Sequence, residues 1–345
     1  MKIVIDKVIP FLEGVFEPYA DVLFLDTRQI TRDVVADADA LVIRTRTRCD
    51  ASLLEGSSVK IIATASIGTH HIDFDYCSAR GIFVCNASGS NSGAIMNYVF
   101  SALYGIAARR SINMDGFTIG LVGAGASGTR VAQMAHFLGF RVLKCDPPQE
   151  AQYGPDGYCS LDTLLSESNV VSLHLPLYRN TYHMADESFF SRMRPGAFFI
   201  NASAGDLVDE EALVRAVPKL GPVIIDAWCN EPYINKELMD MTAIATPHIA
   251  SYTHQGKQAS ASIVVRSVAR FLGFEPLYDF YPKASAKELE AIKLDLRGKT
   301  QGQIASVLQY NYPIFTDDFM FRLAPDDFIS LREHYNYRRE FYVDY

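Results

Sequence analysis

Ile119-Gly120-Leu121-Val122-Gly123-Ala124-Gly125-Ala126-Ser127-Gly128 is the stretch on which the fold turns. An apolar, β-branched run leads into a Gly-x-Gly-x-x-Gly, and a helical pattern with Val131, Ala132, Met134 and Ala135 on one side leads out of it. Glycine is common in turns, so the pattern alone is weak; between a strand and a helix it is the fingerprint of a dinucleotide site. Gly123 allows the tight turn, Gly125 lets backbone approach a pyrophosphate, and Gly128 lets the helix sit close to the sheet. The helix N-terminus, where Ser127 lies, adds free N–H groups and partial positive charge for the phosphates. The next strand, residues 142–145, ends at Asp146. A carboxylate there accepts ribose hydroxyls and repels a 2′-phosphate, so the expected cofactor is NAD rather than NADP.

Outward from this loop, short β-branched runs alternate with helical periods, the signature of βα units around parallel sheets. Residues 2–5, 22–25, 40–43, 60–63 and 83–85 read as strands of a small first domain. A helical stretch over 92–104 leads to six stronger strands at 117–123, 141–145, 169–174, 197–201, 223–226 and 243–246. The helix expected over 258–272 would run back to the first domain, which is then discontinuous in sequence. The tail is rich in Tyr and Phe and predicts one clear helix, with Pro325 near its start, Asp326 and Asp327 in its first turn, and Phe328, Leu331, Tyr335 and Tyr342 on one face. About sixty residues is marginal for an independent core, so the tail should pack on another surface, a second subunit being the simplest one. The expected class is α/β: a Rossmann-type doubly wound parallel sheet (93–252), a flavodoxin-like substrate domain (1–92 plus 253–283), and a small α+β C-terminal dimerisation domain (284–345).

Composition fits such an enzyme and excludes other classes. Of 345 residues, 49% are hydrophobic and 21% charged, and the net charge of −8 argues against nucleic-acid binding. No apolar run approaches the ~18 residues of a membrane span, and the start reads as a strand rather than a secretory signal; a cytoplasmic protein is expected. The six cysteines are scattered without a Cys-x-x-Cys pair, which suggests neither a disulfide framework nor a metal site.

Two polar residues stand just past strands, where open α/β sheets bind ligands. Glu231 lies in Asp226-Ala227-Trp228-Cys229-Asn230-Glu231-Pro232, and His248 in Thr246-Pro247-His248-Ile249-Ala250. A histidine with a carboxylate partner is what proton transfer at a hydroxyl requires. Upstream, Arg44, Arg46 and Arg48 alternate, and in an extended segment their guanidinium groups would point to one side, toward a phosphate or simply toward solvent.

The glycine loop and the segments 226–232 and 246–252 resemble the signature segments of the D-2-hydroxyacid dehydrogenase family. Arg44-Thr45-Arg46-Thr47, the run from Thr64 to Asp73, Asn97-Tyr98-Val99-Phe100-Ser101-Ala102-Leu103, Cys145-Asp146-Pro147-Pro148 and the tail around Leu331–Glu340 resemble its branch that oxidises 4-phosphoerythronate in pyridoxal phosphate biosynthesis. The resemblance implies an NAD-dependent oxidation of a phosphorylated 2-hydroxy acid, in a homodimer formed by the tail. It makes His248 the proton donor and acceptor and Glu231 its partner. It places substrate against Thr45, Ser66 and Tyr252, between the domains, and cofactor against Gly123, Gly125, Ser127, Gly128, Asp146, Leu175, Asp226 and Ser251.

One position departs from that pattern. The family's catalytic arginine belongs in Ile200-Asn201-Ala202-Ser203-Ala204-Gly205-Asp206, at the place held by Ala204. Loss of its two-point bond to the substrate carboxylate is expected to cost about 3–5 kcal/mol of transition-state stabilisation, or about two to four decades in rate. Ser251 for a usual glycine, Leu175 for a usual threonine, and Ala87-Ser88-Gly89-Ser90-Asn91 are smaller departures. Three readings stand open: the contact comes from Arg44 or Arg46; the chain binds NAD without efficient turnover, as a sensor or corepressor; or Ala204 is a substitution in an otherwise active enzyme. A dehydrogenase for another 2-hydroxy acid is a further alternative.

Overall fold

The computed structural model describes residues 1–283, 286 and 289–345, grouped into two compact units. The first comprises Met1–Asn91 and His254–Glu290, the second Ser92–Thr253 and Ala291–Tyr345. The predicted boundary at residue 284 lies outside the described residues.

In the first unit β1 (Lys2–Asp6), β2 (Asp21–Leu25), β3 (Ala40–Ile43), β4 (Ile61–Thr64) and β5 (Phe83–Asn86) form one parallel sheet in the order β2-β1-β3-β4-β5. This is the flavodoxin-like order, reversing between β1 and β3. β3 and β4 are wholly apolar apart from Thr64 and buried on both faces, as parallel strands covered by helices must be. The helix His254–Leu272 packs on this sheet, and its Val264, Val265 and Val268 join Ile3, Ile5, Val42 and Ile61 in one core.

The second unit carries β6 (Thr118–Val122), β7 (Arg141–Cys145), β8 (Val170–Leu173), β9 (Phe198–Asn201), β10 (Val223–Ile225) and β11 (Ile244–Ala245). They form a parallel sheet ordered β11-β10-β9-β8-β6-β7, so the fold is the expected doubly wound α/β type. The reversal lies between β6 and β8, and the glycine loop leaves β6 there. Such a switch point opens a crevice at the strand carboxyl ends.

The tail departs from expectation in detail. It holds three helices rather than one, Gln301–Asn311, Ile314–Leu323 and Phe328–Glu333, and Tyr342 lies in a strand. That strand, β13 (Phe341–Val343), pairs in parallel with β12 (Ile292–Leu294). Much of the tail's apolar surface is used on its own unit. Helix Ser92–Arg110 is buried along most of its length, and Leu308, Tyr312, Ile314 and Phe341 of the tail share its core. Gly105 marks the closest approach: a Cβ there would stand 2.8 Å from both Gln309 Nε2 and Phe315 Cε2. Buried Asn97 anchors β13, donating to Phe341 O (2.8 Å) and accepting from Phe341 N (2.9 Å). The tail also covers the sheet edge at β11, where Asp318 accepts the Ala245 N–H at 2.7 Å. Among the described residues, no helix is long and apolar enough to cross a membrane.

Candidate active site

The glycine loop is shaped by close approach. Gly123 has φ +98°, and a Cβ on it would stand 2.4 Å from His174 O. A Cβ on Gly128 would stand 2.1 Å from Gly123 O, whereas Gly125 faces open space. Gly125 caps the helix Ala126–Phe137, whose first N–H groups, including that of Ser127, have no intrahelical partner. The loop therefore offers backbone donors and room, the two things a pyrophosphate needs. Leu175 lies against it, 3.0 Å from the position of a Gly123 Cβ.

Asp146 is tied to the same loop. Its Oδ2 accepts from Ala124 N at 2.7 Å and its Oδ1 from Gln149 N at 3.1 Å, at the start of helix Pro147–Tyr153. Each oxygen keeps a further lone pair for a ribose hydroxyl. These residues fit NAD.

Beyond β10 and β11 the chain brings Glu231 and His248 together. His248 Nδ1 lies 2.8 Å from Glu231 Oε1 and 2.9 Å from Oε2. Burial works against a charge on His248, but the Glu231 carboxylate, through its charge and hydrogen bonds, outweighs it and raises the histidine's pKa. Burial also disfavours the Glu231 charge, yet His248, the Trp228 N–H and Arg332 prevail and lower its pKa. His248 sits in the left-handed region at φ +56°, and Asn230 at φ +57°. Such strain at a non-glycine residue costs about 1–3 kcal/mol and persists only where its surroundings dictate it.

Asp226 does much of that dictating. It is wholly buried, and its oxygens accept from Thr246 Oγ1 (2.6 Å), Ile249 N (2.8 Å) and Ala250 N (2.9 Å). Its carbonyl takes the His248 N–H at 2.8 Å. Ser251 and Tyr252 follow on the same loop, half-buried. The tail holds that loop: Arg338 donates to the carbonyls of Ile249 (2.9 Å), Ala250 and Tyr252.

Ala204 is half-buried and extended, at φ −147° and ψ 143°, and its carbonyl accepts from Asn201 Nδ2 at 2.9 Å. In the first unit, exposed Thr45 and half-buried Ser66 follow the paired strands β3 and β4. The segment 44–48 is not extended: it turns, with Thr47 N bonded to Arg44 O at 3.1 Å. The three arginines therefore do not share a face. Arg48 is spent on Asp50 at 2.7 Å, and Arg44 Nε lies 3.8 Å from buried Asp6.

Sequence reading missed Arg332 and Arg338. Both sit within a run of charged and aromatic residues about 90 positions from the loops they reach, and no local signal distinguishes them.

The Gly128 contact is with backbone, which cannot swing aside. Gly128→Ala is therefore expected to weaken NADH binding about tenfold or more, ~1.4 kcal/mol, in a fluorescence titration. Unchanged affinity would place the cofactor elsewhere.

Residues 103–250 match the family described as D-isomer specific 2-hydroxyacid dehydrogenase, NAD binding domain. The erythronate-4-phosphate dehydrogenase of Bacteroides thetaiotaomicron is 38% identical over 347 residues, 99% of this chain and 97% of that protein. The enzyme of the same name from Pseudomonas entomophila is 36% identical over 358 residues, 99% and 92% of the two chains. Among solved structures, the TT0316 protein of Thermus thermophilus is 28% identical with a TM-score of 0.66, covering 79% of this chain and 97% of its own. The D-lactate dehydrogenase of Aquifex aeolicus, complexed with NAD and lactic acid, is 25% identical with a TM-score of 0.66, covering 82% and 100%. Its glycine cradle and near full-length relatives agree: this chain belongs to the D-isomer-specific 2-hydroxyacid dehydrogenases and is an NAD-dependent dehydrogenase.

Proposed function

We propose that this dehydrogenase oxidises 4-phosphoerythronate to its 2-oxo acid, a step of pyridoxal phosphate biosynthesis. The observation that carries the reading is the Glu231–His248 pair on strand-end loops, together with near full-length relatives that bear the name erythronate-4-phosphate dehydrogenase. NAD, when bound, supplies the hydride acceptor. The glycine loop with Ser127 holds its pyrophosphate and Asp146 its ribose, while Leu175, Asp226 and Ser251 border it. Thr45, Ser66 and Tyr252 contact the substrate's oxygens.

His248 takes the hydroxyl proton. With Nδ1–H donated to Glu231, Nε2 keeps its lone pair and is the basic atom. Oxidation needs that atom unprotonated, so activity should rise with pH through the raised His248 pKa. Replacing Glu231 by Gln removes the charge that raises it. A pH series on Glu231→Gln should show kcat lower by about 10²-fold and the rising limb moved to lower pH; an unmoved limb would separate Glu231 from the proton step.

Ala204 leaves this site without the family's arginine, and we propose a correspondingly low rate. NADH formation from 4-phosphoerythronate should rise about 10²-fold or more in Ala204→Arg. If the protein and this variant are both inert while binding NAD normally, the substrate is another 2-hydroxy acid or the chain is a non-catalytic NAD binder.

A homodimer through the tail completes the proposal. Phe319, Met320 and Leu323 are 58%, 48% and 63% exposed on helix Ile314–Leu323, with Ile329 nearby at 49%. Sedimentation equilibrium should find a dimer that Leu323→Glu converts to monomer; a monomeric parent protein would rule the dimer out.

A further inference from the structure

Arg332 reaches the proton-transfer pair from the last helix of the chain. Its Nη1 lies 3.6 Å from Glu231 Oε2, close enough for charge attraction and too far for a hydrogen bond. Its Cζ stands 5.7 Å from the Tyr252 ring centroid and 5.6 Å from that of Phe328. Nε is buried with no hydrogen-bond partner, while the side chain as a whole is 30% exposed.

The tail's other arginines differ. Arg322 donates to Asp318, Met239 O, Thr242 O and Thr242 Oγ1, and Arg338 to four backbone carbonyls. Those two guanidinium groups are used up in holding the fold. Arg332 is instead steadied by two rings and one carboxylate, and its donors are not consumed by the chain. Glu231 does not need it as a counter-ion, because its oxygens already take His248 Nδ1 and the Trp228 N–H. A planar fork of donors left open beside a histidine base is suited to a planar or tetrahedral oxyanion. Ala204 provides no donor for one.

Resting on the 2-hydroxy-acid reading above, we propose that Arg332 binds an oxyanion of the substrate, carboxylate or phosphate, and so supplies the guanidinium that residue 204 lacks. The tail is then part of the substrate site. Tyr252, between Arg332 and the His248 loop, keeps the guanidinium plane in place.

The test compares the parent protein with Arg332→Met and Arg332→Lys, with 4-phosphoerythronate and phosphate-free D-erythronate as substrates. Both variants should keep the parent melting temperature and NADH affinity. Arg332→Met should raise KM at least tenfold, and Arg332→Lys should recover part of the loss. A rise with both substrates identifies the carboxylate as the bound group, and a rise confined to 4-phosphoerythronate identifies the phosphate. Unchanged KM with a displaced pH limb would overturn the proposal, leaving Arg332 a positioning residue for Glu231. Should the parent protein turn over neither compound, the substrate reading fails by itself. Oxalate and inorganic phosphate titrated into the NADH complexes then decide on Arg332 without turnover: at least tenfold weaker binding of either anion by Arg332→Met supports it. Equal binding of both, or none by the parent protein, refutes it.

Discussion

One buried carboxylate organises the chemistry of this protein. Asp226 receives three hydrogen bonds, from Thr246 Oγ1, Ile249 N and Ala250 N, in a setting from which water is excluded. Burial raises its pKa, and the nearby His248 and these bonds work the other way. Thr246 is itself fixed by the Tyr98 hydroxyl at 2.7 Å and by Trp228 Nε1, which donates to its carbonyl at 2.9 Å. The loop between them has little freedom left, and His248 is held in a left-handed conformation that an unconstrained histidine would abandon. A proton-transfer group pinned in this way loses little entropy at the moment of reaction, which is how a rigid loop contributes to rate.

The same loop explains the tail. Carbonyls of Ile249, Ala250 and Tyr252 would lack partners in a half-buried turn, and Arg338 satisfies them from about 90 residues away. Arg338 is buried and lies 4.2 Å over the Tyr312 ring. Burial opposes its charge, but Tyr312, Tyr335 and Asp317 more than compensate, so it stays ionised. Asp317 in turn accepts from both Tyr312 and Tyr335 hydroxyls, at 2.9 and 2.8 Å. A buried charge of this kind is tolerable only when hydrogen-bonded throughout. Removing the tail would thus undo the loop that carries His248, whatever else the tail does in an assembly.

What could be read from sequence followed the range of the forces involved. Parallel strands buried on both faces appear as apolar runs, and turn glycines announce φ angles and close approaches; both signals are local. Glu231 and His248 were legible because each follows a strand within two residue steps of a proline. The tail was not: its helices are short, its apolar face is shared with Ser92–Arg110, and one amphipathic pattern was stretched over what are a helix and a strand. Arg44, Arg46 and Arg48 were read as extended because alternation implies a strand, whereas the Thr47 N–H closes a turn there. Arg332 and Arg338 owe their places to tertiary packing alone.

Residues 204 and 205 separate the fold from the activity. Gly205 is demanded by backbone: a Cβ there would stand 1.9 Å from Trp228 O, so any other residue would push β9's exit from the loop carrying Glu231. Ala204 is under no such constraint. Its φ and ψ are ordinary extended values, its carbonyl bond to Asn201 is independent of side chain, and a longer side chain would alter no backbone hydrogen bond. An arginine at 204 therefore serves chemistry and not folding. It follows that an intact glycine cradle, an intact His248 loop and full-length likeness to active relatives are all compatible with alanine there. The fold cannot report on turnover at this position; only a cation that meets the substrate, from 204 or from the tail, can.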